Sequence, residues 1–279
     1  MRILFVCCCV LTLVSGSSKE PQFGDLELVD ADGFDCKIPA AESLMYSFAR
    51  GGRASALSAS ELVPTAHRLA NRAMKRYEPE MTKYALGDCI KMLKKCTLNE
   101  GWGPDTLAAQ YASRTNETND FPLAVEIVDE YRDKHFVPEP PEHAFVIHLR
   151  LGDVIRGSPL APEDLLVCSG PAVNHHTYVK SVYELLADAK TANKTRVILV
   201  GGSHTTLEPD DPSWFYTLAI HRAFQIAGYD VSLRLEPYPD DDFTYMSYAT
   251  TFGVGTGGYS RIIAKLVELR GGTIVGRRF

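Results

Sequence analysis

The chain has 279 residues, enough for one large domain or two small ones with a substantial core. Its hydrophobic content of 45% and charged content of 23% are ordinary for a globular protein. A net charge of −6 argues against a nucleic-acid partner, which calls for a basic face or stripe.

At the start, Arg2 is followed by an apolar run over 3–14, interrupted only by Thr12, then by the small residues Ser15 and Gly16. This is the layout of a secretory signal peptide over 1–17, with a signal anchor as the alternative. The run is shorter than the roughly 20 residues a bilayer span needs. No stable membrane span is expected once the signal is cleaved. Cys7, Cys8 and Cys9 would leave with it. The remaining Cys36, Cys89, Cys96 and Cys168 are four thiols in an oxidising compartment, which predicts two disulfides. Cys89 and Cys96 are seven apart in a helical pattern, about 10 Å between Cα atoms, and so do not pair. Asn116-Glu-Thr and Asn193-Lys-Thr are glycosylation sequons that agree with this compartment.

Residues 18–136 read as a mainly helical region. Helices are expected over 61–77, 81–98 and 122–135 from apolar residues at helical spacing. No catalytic cluster stands out there, and the region reads as a packing layer. Residues 137–143 hold Pro138, Pro140 and Pro141 and read as an extended connector.

From 144 to 279 the pattern alternates strand and helix. Strands are expected over 144–149, 196–201, 229–235, 252–254 and 273–275. Helices are expected over 178–190, 213–227, 242–248 and 260–269. Such alternation predicts an α/β fold: a Rossmann-like parallel sheet with helices on both faces. Ligands of such sheets bind beyond the carboxyl ends of the strands.

Three loops lie there. The first carries His148, Arg150, Gly152 and Asp153. His148 and Arg150 alternate along a strand and share a face. Arginine presents a fixed fork of donors that matches phosphate oxygens. Gly152 permits close backbone approach, and Asp153 is placed to orient Arg150 or to bind a hydroxyl. A salt bridge tying the strand end to a helix would account for the same residues. The second loop, Gly201-Gly202-Ser203-His204, puts His204 near the cleft. The third, Gly255-Thr256-Gly257-Gly258-Tyr259-Ser260-Arg261, joins glycines to a helix N-terminus, an anion site made of bare N–H groups. A plain helix cap is the alternative. Its G-x-G-x-x-G spacing is not a dinucleotide fingerprint, because no βαβ unit and acidic residue follow. Asp240-Asp241-Asp242 most simply opens a helix, with Asp242 a candidate for a base or ribose. His175-His176 has no third ligand at sensible spacing and reads as loop, so no metal site is expected.

His148-Leu-Arg150-Leu-Gly-Asp153 resembles the H-x-R-R-x-D motif of the α-1,2, α-1,6 and protein O-fucosyltransferases. Gly257-Gly258-Tyr259-Ser260-Arg261 looks like the serine-containing turn near the end of their donor-binding domain. The resemblance spans residues 143–276. It implies a GT-B-type donor domain and an inverting, metal-independent glycosyltransferase. That enzyme would carry fucose from GDP-fucose to a glycan or protein acceptor in the ER or Golgi lumen, or outside the cell. By that likeness Arg150 would hold the β-phosphate and stabilise the departing GDP, with Asp153 beside it in the catalytic set. His148, Gly152, His204, Asp242, Gly257, Gly258, Ser260 and Arg261 would form the donor site. No cofactor beyond the donor is implied. Leu151 stands where the family often has a second arginine, and the first Rossmann-like domain of a GT-B enzyme has no counterpart in the sequence. The general base is open between Asp153, His204 and the acidic stretch. The alternative is a secreted, non-catalytic glycan- or nucleotide-binding module of the same fold. A hydrolase built on His148 or His204 with Asp153 ranks below both, since no nucleophile sits on a strand–helix elbow beside them.

Overall fold

The computed structural model describes residues 27–29, 35–37, 86–91, 105–158, 170–172, 177–203, 207–208, 210–235 and 238–276. The signal peptide, the helix expected over 61–77, His175-His176 and His204 lie outside them.

Two short antiparallel pairs stand apart from the main sheet's ladder: β1 (Glu27–Val29) with β2 (Asp35–Lys37), and β4 (Gly170–Ala172) with β5 (Thr177–Val179). The main sheet has five parallel strands: β3 (Ala144–Arg150), β6 (Arg196–Gly202), β7 (Asp230–Arg234), β8 (Thr251–Gly253) and β9 (Thr273–Val275). Their spatial order is β7-β6-β3-β8-β9. The chain builds outward from β3 to β7, then returns to the other side of β3 and builds outward again. The reversal between β3 and β8 is the topological switch point at which doubly wound sheets bind ligands.

The pleat divides the core in two. Phe145, Ile147, Leu149, Val197 and Leu199 face α5 (Val182–Ala192), α6 (Pro212–Ile226) and the one-turn α4 (Asp153–Arg156). Ala144, Val146, Ile198, Val200 and Phe252 face α7 (Pro239–Ser247) and α8 (Gly257–Leu269). Alternate residues of β3 therefore enter opposite layers, as the period of two requires.

Three helices of the N-terminal region join that second layer: α1 (Leu86–Lys91), α2 (Leu107–Arg114) and α3 (Phe121–His135). Leu86, Ile90, Leu107, Tyr111, Ile127 and Val128 are buried in the same cluster as the sheet. Polar ties reinforce the contact. Tyr131 donates to Asp241 Oδ1 at 2.9 Å, and Tyr248 donates to Asp129. Arg132 and Arg270 lie against the ring of Tyr248, with the guanidinium carbons 4.6 and 4.0 Å from its centroid. Burial and the Asp129 contact push the Tyr248 phenol up to about 12.

Several boundaries differ from the sequence reading. The helix expected from 178 starts at Val182, where the Ser181 hydroxyl accepts from the Glu184 N–H, and Tyr178 belongs to β5. Helix α7 starts at Pro239 and α8 at Gly257, each three residues earlier than expected. Proline fits the first helical turn because the amide hydrogen it lacks has no partner there. Only 86–91 of the helix expected over 81–98 is described as helix. Helix α2 and the short α4 were not expected. Among the described residues, no helix is long and apolar enough to cross a membrane.

Candidate functional site

Strand β3 pairs with β6 over all seven residues, ending at Arg150 opposite Gly202. It pairs with β8 only at Val146 and Ile147. His148, Leu149 and Arg150 therefore extend past the last paired residue of β8. The glycine turn packs against His148 there. A Cβ on Gly255 would collide with the carbonyl oxygen of His148 and lie 2.7 Å from its Nδ1. Gly255 is thus required by close approach.

His148 is 4% exposed, with its ring 5.3 Å from that of Tyr259. Tyr259 in turn meets Phe243 edge-on at 5.4 Å and donates its hydroxyl to the Pro239 carbonyl at 2.7 Å. His148 is therefore a buried packing partner of the turn and not an exposed lining residue. Ser260 is fully buried, and its Oγ accepts the Gly255 N–H at 2.8 Å. That bond closes the turn on itself, so the hydroxyl faces inward.

Arg150 stands at the mouth. Its Nη2 reaches the two oxygens of Asp153 at 3.3 and 3.4 Å. Its Nη1 lies 4.0 Å from the Cβ position of Gly257. Its Nε is buried and has no hydrogen-bond partner among the described residues. Asp153 thus holds one side of the guanidinium and the other side is turned to the start of α8. Gly152 has φ +75°, a conformation natural to glycine, and its N–H is taken by the Ser213 Oγ at 2.8 Å. It shapes the chain between Arg150 and Asp153 and spends its donor internally.

Helix α8 opens at Gly257, with φ +85°. The first N–H groups of any helix lack intrahelical partners and carry the positive end of its dipole. Thr256, at the N-cap, makes no side-chain capping bond. It is 3% exposed, and its Oγ1 has no hydrogen-bond partner among the described residues. Arg261 is exposed one turn further on, on the same stripe as Gly257.

One cation at the turn comes from a distant part of the chain. A Cβ on Gly258 would collide with the ammonium of Lys91, the last residue of α1. Helix α1 packs directly on α8, and within it Cys89 is fully buried and disulfide-bonded. Nothing in the local sequence around Lys91 marks it, because the contact is made by tertiary packing.

Asp242 lies elsewhere. It is 4% exposed and accepts from Arg234 Nε at 2.8 Å, and that guanidinium stacks on Tyr245 with its carbon 4.5 Å from the centroid. Its carboxylate is committed to an internal ion pair, not offered to a ribose or base. Asp240 accepts the Leu107 N–H at 3.0 Å, at the start of α2. Burial raises its carboxyl to about 6, against the opposing pull of that hydrogen bond.

Arg150, Lys91, Thr256 and the opening of α8 therefore converge at the switch point, in a protein whose net charge is −6. Local positive charge of this kind can hold an anion and stabilise charge developing on a leaving group. No family model, curated protein or solved structure matches the chain.

Proposed function

We propose that the chain binds the diphosphate of a nucleotide sugar at the glycine turn and transfers the sugar to a glycan or protein acceptor in the secretory pathway. The observation that carries this reading is Arg150: held on one side by Asp153, it faces the Gly257 end of α8 at the switch point. A diphosphate placed there would meet the Nη1 side of the guanidinium and the positive end of the helix together.

The resemblance to fucosyltransferases makes GDP-fucose the donor in this reading, with Arg150 stabilising the GDP that departs. Asp153 orients Arg150, and Gly257 and Gly258 expose backbone to the phosphates. His148 and Ser260 act one step back, by shaping the turn. A second reading, a module that binds without turnover, draws support from the commitment of Asp153 to Arg150 and the burial of His148.

Incubation with GDP-fucose and a panel of glycoprotein acceptors separates the two. The transferase reading expects free GDP and fucosylated acceptor, both lost in Arg150→Ala. Retention of glycans on an array with no GDP released would favour the module and overturn the transferase.

A further inference from the structure

We propose that Asn193 is an N-glycosylation site, carrying its glycan at the pole of the sheet opposite the glycine turn. This rests on the reading of the chain as one that enters the secretory pathway. Cys89, buried and disulfide-bonded, agrees with an oxidising compartment. The triplet is Asn193-Lys194-Thr195, with no proline in its middle position.

Asn193 closes α5 in the left-handed conformation, with φ 51°, and its N–H donates to the Lys190 carbonyl at 3.2 Å. Asparagine tolerates this backbone better than most residues other than glycine. The main chain is thus tied down, while the side chain is exposed and makes no hydrogen bond among the described residues. A helix cap accounts for Asn193 but asks nothing of Thr195. Thr195 is exposed as well; its carbonyl accepts the Asp230 N–H at 3.0 Å, and its hydroxyl makes no hydrogen bond among the described residues. A glycan is bulky and polar, so its acceptor must face solvent in the folded chain, as this one does.

Lys194 Nζ lies 3.5 Å from the Glu142 carbonyl, which also accepts the Thr250 hydroxyl at 2.6 Å. Residues 142, 194 and 250 precede β3, β6 and β8, so Asn193 lies where the strands begin. Arg150 and the glycine turn lie where they end. The seven residues of β6 put roughly 20 Å between the two poles. A glycan on Asn193 therefore starts far from the mouth of the site. In the transfer, Asn193 Nδ2 loses a proton and bonds to the anomeric carbon of the incoming sugar. The bond from that carbon to a lipid diphosphate breaks, and the lipid diphosphate leaves. The co-reactant is a lipid-diphosphate-linked oligosaccharide of the lumen.

Expression of the full chain with its own N-terminus in a eukaryotic secretory cell line tests this. Every form carries Asn116→Gln, so that the other sequon adds no glycan. Glycosidase digestion with site-resolved mass spectrometry is expected to find Asn193 modified. Thr195→Ser should keep the glycan and Thr195→Ala should lose it, since the acceptor triplet needs the hydroxyl and the helix cap does not. Asn193→Gly should lose it and still fold, because glycine suits the left-handed cap. An unmodified Asn193 in chain recovered from the medium or the lumenal fraction would overturn the inference and leave the secretory reading standing. Chain found only in the cytosol would overturn that reading, and the inference with it.

Discussion

Asp240→Asn should make the protein more stable at neutral pH and leave it nearly unchanged in acid. Asp240 is 6% exposed, and burial raises its carboxyl from 3.8 to about 6. The unfolded chain loses this proton near pH 4, the folded chain near pH 6. Between those values the folded state binds the extra proton, so this group's contribution to stability falls as pH rises and levels off above about 6. About two units at roughly 1.4 kcal/mol each put the penalty near 3 kcal/mol at neutral pH. Asparagine keeps an oxygen for the Leu107 N–H and carries no charge. The amide hydrogens it adds must find partners, so the net gain is about 2 kcal/mol. Urea unfolding followed by tryptophan fluorescence, at about pH 4.5 and pH 7.5, reads both values. A variant less stable than wild type at about pH 7.5 would refute the reasoning. It would mean that the start of α2 holds the carboxylate more strongly than burial opposes it.

Gly255→Ala should cost about 3 kcal/mol in urea unfolding, because the obstacle is the His148 backbone carbonyl, which cannot swing aside. Ser260→Ala leaves the Gly255 N–H without its acceptor and should cost about 1–3 kcal/mol; a diphosphate contact alone would change affinity and not unfolding. Cys89→Ser removes a disulfide and should lower stability by about 2–4 kcal/mol, measured by the same unfolding curves.

The strands of the main sheet were legible because buried parallel strands are short apolar runs with glycine at their ends. The stretch Val197-Ile198-Leu199-Val200 is one such run. The strand order and the switch point follow from how strands pair in space, which periodicity does not encode. Helix starts were harder. Pro239 carries the signal for α7, and the acidic stretch after it forms the first turn, where the sequence alone suggests only the approach to the helix. The glycines of α8 carry the composition of a turn, although Gly257 and Gly258 are its first two residues. At the site, Arg150, Asp153 and the glycine turn were recognisable from residue type and position. Asp242 and Ser260 have the right chemistry for a ligand, yet Arg234 and the Gly255 N–H occupy them, and only the folded chain brings those partners near. Lys91 was invisible for the same reason: its place depends on how α1 packs on α8.

The central claim is that Arg150 and the opening of α8 hold a nucleoside diphosphate. Thermal unfolding of wild-type protein and Arg150→Ala, each with GDP, UDP and ADP, tests it most directly. A ligand at 100 times its Kd stabilises the folded state by about 2.7 kcal/mol. GDP is expected to raise the melting temperature of wild type and to leave that of Arg150→Ala unchanged. Wild-type protein unmoved by all three nucleotides, or a variant that shifts as far as wild type, would contradict it.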